Sequence, residues 1–190
     1  MLMLMAQKQS KNDLSLTLTR VTRTIFFFAS FYALSIIIFD SGNLITREAV
    51  IDRWTLLTGL LAINSLVWLV SAQTVHKPSL QVILRLILAV TLLFVAGFTT
   101  YWERGMASSS TIFYILPLLV IATLRSRHAL LATTLLAAST YAFAAVKYFN
   151  DFFNEGYRVQ LWGNILLYGG TIFACAWLIM VITDLRHDSK

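Results

Sequence analysis

Three histidines, one cysteine and nine carboxylates are the residues of this 190-residue chain that could hold a metal or move a proton. Their spacing supports neither role. His76, His128 and His187 lie far apart, each at the edge of an apolar stretch. That leaves no paired metal-ligand spacing and no mid-membrane histidine for a haem. Cys175 stands alone in an apolar run, where it reads as a small buried hydrophobe. His187-Asp188 has the composition of a phosphoacceptor pair without the helix such a site needs after it. No catalytic residue, no metal site and no catalytic module is expected.

Neutral polar groups remain. Ser108, Ser109 and Ser110 open the fourth apolar stretch, and Pro117 stands in its middle. Proline removes a backbone donor, so a kink is expected there, with polar backbone near the membrane surface. Asn64 and Asn164 sit inside apolar runs, where amides serve as hydrogen-bonding contacts between helices. Ala29/Ala33, Ala137-Ala138-Ser139 and Gly169-Gly170 read as close helix contacts by the same logic. The stretch KYFNDFFNEGYRVQ, residues 147–160, repeats aromatics at helical spacing. It reads as an interfacial amphipathic segment or as a lid over a pocket.

The elements that must position these groups follow from hydropathy. The chain is 58% hydrophobic and 13% charged, with a mean hydropathy of +0.73, too few charges to build a soluble surface. Apolar runs of about 20 residues cross a bilayer as helices, because lipid offers the backbone no partners. The expected class is all-α: a polytopic membrane protein with a bundle of six transmembrane helices. The spans are placed at 23–39, 54–72, 80–101, 109–124, 129–146 and 161–185, within a membrane domain 23–185. A cytoplasmic segment 1–22, with a short amphipathic helix at 10–20, precedes it, and a tail 186–190 follows. The basic residues come before the first apolar run, the reverse of a cleavable signal peptide, so this span is expected to be retained. The fourth span is short for a bilayer, so it needs either its serines in the membrane or a locally thinned bilayer.

Lysine and arginine set the orientation. Lys8, Lys11, Arg20, Arg23, Lys77, Arg85, Arg125, Arg127, Arg186 and Lys190 fall on one side with three acids, a net +7. Arg47, Arg53, Arg104, Lys147 and Arg158 fall on the other with six acids, a net −1. Both termini are therefore expected in the cytoplasm of a cell (inner or plasma) membrane, with Arg125 and Arg127 as topology anchors. Trp54, Trp102 and Trp162 mark the outer boundary. The cations are spread as anchors and not as one basic face, which argues against a nucleic-acid partner. Arg85 is expected to snorkel to the headgroups, leaving no ionisable group deep in the bilayer and disfavouring active ion coupling.

The stretch WERGMASSSTIFYILPLLVIATLRSRHALLATTLLAASTYAF, residues 102–143, resembles the central part of the input domain of bacterial six-helix sensor histidine kinases. Matching positions are Gly105, Ser108, Ser109, Phe113, Tyr114, Leu116 and Pro117, then Arg125 and Arg127. The loop FNEGYRVQLWGN into the last span is similar too, so the resemblance covers roughly residues 80–185. Arg104 stands where the family has a second glycine, and Ser110 where it has a proline. The dimerisation helix and the ATP-binding domain have no counterpart here.

The resemblance implies a signal-input domain, homodimeric, that passes an outer-side cue through its last helix to a cytoplasmic kinase module or response regulator. It places ligand sensing at Ser108, Ser109, Tyr114 and Pro117, with Phe152, Phe153 and Tyr157 as cover. In the redox-sensing branch the same turn is linked to quinone, which extends to Ser108–Tyr114 only through this resemblance. Otherwise no cofactor is expected. The rival readings are a small transporter subunit of the vitamin-transporter substrate-binding type and an accessory subunit of a membrane complex.

Overall fold

The computed structural model describes the backbone of residues 2–73, 77–103, 105, 108–152 and 158–188, with side chains at 2–16, 109 and 184–188 outside that description. Helix is the only regular structure among the described residues. These residues form six α-helices: α1 (Leu2–Ser41), α2 (Arg47–Gln73), α3 (Pro78–Trp102), α4 (Ile115–Ala122), α5 (Arg127–Phe152) and α6 (Arg158–Asp188). A 3-10 helix, Ser109–Tyr114, leads directly into α4.

Helix ends follow local chemistry. No glycine or proline interrupts residues 2–41, so α1 absorbs both the expected surface helix and the first span. It stops at Asn43, whose φ of 52° is left-handed. Leu44 N donates to Phe39 O and Asn43 N to Asp40 O, the paired bonds of a Schellman stop. Thr46 caps α2 by accepting the Ala49 N–H at 3.3 Å, and Glu48 favours its first turn. Pro78 occupies the first position of α3, where its missing donor costs nothing. Arg125, with φ 55°, ends α4, and Ser126 caps α5 through the Ala129 N–H.

Among the described residues five helices are long and apolar enough to cross a membrane, the apolar stretches being Thr17–Ser41, Arg47–Gln73, Pro78–Trp102, Arg127–Phe152 and Arg158–Thr183. The fourth expected span is different. Its regular part is a six-residue 3-10 helix and an eight-residue α-helix. The serine side chains explain this start: Ser108 Oγ accepts the Ser110 N–H, and Thr111 Oγ1 donates to Ser108 O. Such local bonds compete with the α-helical ladder. Pro117 is the third residue of α4, where a missing donor is tolerated, and not at the middle of a long helix.

The chain divides into two compact units, Met1–Leu88 and Ala89–Lys190. In the first, α1 packs on α2. Ile25, Ala29, Tyr32 and Ile36 recur at helical spacing on α1, as do Leu57, Leu60, Asn64, Val67 and Ser71 on α2, and all are buried. In the second unit α5 packs on α6, and α4 packs on both. Buried Leu130, Thr134, Ala137, Tyr141, Ala144 and Ala145 give α5 one inward face.

Large side chains such as Phe27, Phe94, Phe143, Leu166 and Trp177 are exposed on these helices. Apolar surface on this scale belongs against lipid. The chain is a multi-pass helical membrane protein.

Candidate functional site

Polar groups gather inside both units. In the first, the Asn64 amide donates from α2 to the Thr22 carbonyl of α1 at 3.0 Å, both residues fully buried. Gln81 Nε2 donates to Ser71 O at 3.3 Å, and Arg85 Nη1 donates to Gln81 O at 3.1 Å. The expectation that Arg85 snorkels to headgroups is corrected here. Its side chain is fully buried, and the residue lies about 10 Å along α3 from Pro78. One guanidinium donor turns back to a carbonyl of its own helix, the kind of partner a buried arginine needs.

The second unit holds the richer arrangement. Glu103, just past α3, accepts hydrogen bonds from Ser108 Oγ at 3.3 Å and from Ser110 Oγ, which sits closer still. Both serines are buried, at 2% and 3% exposure. A typical hydrogen bond contributes about 0.5–1.5 kcal/mol net. The carboxylate therefore ties the connection after α3 to the start of the 3-10 helix.

Gly105 makes that connection possible. Its φ of +57° is left-handed, and a Cβ there would lie 2.7 Å from the Tyr148 Cβ. Only glycine meets both conditions. Tyr148 in turn sets an aromatic cluster with Tyr101 and Phe152, ring centroids 6.1 Å and 4.8 Å away. Tyr101 Oη donates to Asp151 at 2.7 Å, and Lys147 pairs with the same carboxylate at 2.9 Å. Residues 147–152 of the expected aromatic segment 147–160 form the final turns of α5.

Deeper in the unit lies a set of buried hydroxyls. Tyr114, the last residue of the 3-10 helix, is fully buried and stacks edge-on against Tyr141 at 5.9 Å. Tyr141 does the same against Tyr168 at 5.4 Å. The Tyr114 hydroxyl reaches α3, where a Cβ on Gly97 would be 4.0 Å from it. Thr100, one turn along the same face, interacts with it short of hydrogen-bond geometry. Thr100 Oγ1, Tyr114 Oη and Tyr141 Oη have no protein hydrogen-bond partner. An unsatisfied buried hydroxyl costs about 1–3 kcal/mol, and lipid offers no relief.

These placements sort the residues named from sequence. Ser108 and Tyr114 belong to one connected region, joined by the 3-10 helix. Ser109 begins that helix, its side chain lying outside the described residues, and Pro117 is buried one turn beyond Tyr114. Phe152 is exposed and its ring packs on Tyr148. Phe153 and Tyr157 lie outside the described residues. Asn164 is half-buried on α6, and Arg125 and Arg127 are exposed at the α4–α5 turn. Sequence reasoning singled out Ser110 with its two neighbours but missed its partner Glu103, and missed Thr100 and Tyr141 as site residues. An acid five and seven residues ahead of two serines, across a glycine, was the available signal for Glu103.

No cluster of three or more metal-ligating side chains occurs among the described residues. No protein-family model, curated protein or solved structure matches the chain. The resemblance to sensor-kinase input domains accordingly rests on its residues alone.

Proposed function

We propose that the chain is a membrane-embedded signal-input domain, oriented with both termini in the cytoplasm of a cell membrane. A cue at the Glu103–Ser108–Ser110 cluster and Tyr114 shifts the 3-10 helix. The shift reaches α6, which passes it to a cytoplasmic kinase module or response regulator. One observation carries this reading. The 3-10 helix runs without a break into α4, and α4 packs on both α5 and α6 within the same unit. The 3-10 helix and α4 together link the cluster to the last helix, so two packings of α4 would be two positions of α6.

The proportions of α6 favour the same role. Only 11% of its apolar stretch is buried, so most of its surface is left to lipid or to a partner helix.

Affinity purification of the chain from its native membrane, followed by mass spectrometry, tests the proposal. A histidine kinase or response regulator is the expected companion. A stoichiometric ATPase pair would replace signalling with transport, and a stable complex lacking any signalling protein would replace it with an accessory role.

A further inference from the structure

We propose that Thr100, Tyr114 and Tyr141 form an internal hydration site, in which bound water joins α3, the 3-10 helix and α5. The proposal does not depend on the signalling role. Each of the three side chains is at most 1% exposed, and each hydroxyl lacks a protein partner. They are also neighbours. Tyr114 reaches the Gly97–Thr100 face of α3 with its hydroxyl and meets the Tyr141 ring edge-on.

Three buried hydroxyls without a protein partner in one unit carry a desolvation cost that lipid does not relieve. A hydroxyl can donate and accept, and burial in an apolar setting without either is penalised. Water is the ligand whose chemistry fits, because a buried molecule needs two to four polar partners and the three hydroxyls supply them. Gly97 lets α5 come close to α3 beside the Tyr114 hydroxyl: a Cβ there would stand 2.9 Å from the Thr140 methyl and 4.0 Å from that oxygen. A water bridging such groups is nearly as favourable as a direct bond.

The alternative is a dry cluster, and the two differ in the sign of a mutational effect. Removing a hydroxyl that has no partner relieves a penalty. Removing one bonded to water loses a bond and leaves the water short of a partner. Tyr114→Phe, Tyr141→Phe and Thr100→Val keep the shape of each side chain. In the full chain reconstituted in nanodiscs, each is expected to lower the thermal midpoint by about 2–4 °C. Paired changes should lose less than the two single losses together, because the same water is already gone.

An experimental density map resolving ordered solvent provides the second readout, and it does not depend on any variant folding. Solvent density about 2.8 Å from at least two of the three oxygens is expected. Midpoints that stay level or rise in the single variants would overturn the site. So would a map dry at this position, whatever the midpoints, or one filled by an organic molecule larger than water.

Discussion

Gly105 and Tyr148 are packed so closely that one hydrogen separates a working turn from a collision. A Cβ on Gly105 would lie 2.7 Å from the Tyr148 Cβ and 2.8 Å from its Cγ, and the φ of +57° disfavours any L side chain as well. Gly105→Ala is therefore expected to destabilise the protein by about 2 kcal/mol or more, combining left-handed strain with overpacking. Gly163→Ala is the control, since nothing lies within 4 Å of a Cβ there. It should leave stability unchanged or raise it by up to about 1 kcal/mol. Unfolding in a graded detergent series compares the two.

Glu103 and Ser110 should behave as a coupled pair. Glu103→Gln weakens the acceptor shared by Ser108 and Ser110, and Ser110→Ala removes one donor. Each single change is expected to cost about 1–3 kcal/mol, and the double change less than the sum by about 1 kcal/mol. Additive losses in the cycle would mean that the two side chains act independently.

Asn64 offers a contrast. Its amide nitrogen bonds Thr22 O, while its Oδ1 is buried without a protein partner. Half of the side chain gains and half loses. Asn64→Leu should thus shift stability by under about 1 kcal/mol, in line with interhelical hydrogen bonds in membranes. A loss of several kcal/mol would give Asn64 a larger role than helix contact.

How far the sequence reveals this architecture depends on the scale of the signal. Five spans are plain from hydropathy, because a run of apolar residues has one stable form in lipid. The fourth is not, since the serine side chains divert the backbone into 3-10 geometry over Ser109–Tyr114, a local competition that hydropathy does not see. Arg85 shows the same limit. Its position about one turn inside the third span was legible, but whether its side chain runs outward to headgroups or back to Gln81 is decided by packing. At the site, Ser108 and Tyr114 stood out by type. Glu103 did not, because a carboxylate in a loop looks like ordinary surface until Gly105 folds the chain back on it. Thr100 and Tyr141 are single hydroxyls in apolar helices, and only burial gives them meaning.

Orientation rests on loop charge and is open to direct test. In a Cys175→Ala background, a cysteine at Asn43 is expected to react with a membrane-impermeant maleimide on intact cells. A cysteine at Ser126 should react only after the cells are opened. The reverse pattern would invert the topology, placing the Glu103 cluster on the cytoplasmic side.

The central claim is that a change at the Glu103 cluster moves α6. Leu131 on α5 and Leu178 on α6 are both exposed and suit spin labels, again with Cys175 replaced. Their distance distribution, measured by electron spin resonance in nanodiscs, compares the parent chain with Glu103→Gln. A shifted or newly bimodal distribution is the predicted result, because loosening the 3-10 helix should repopulate the packing of α4 on α6. An unchanged distribution in a folded Glu103→Gln variant would contradict the account.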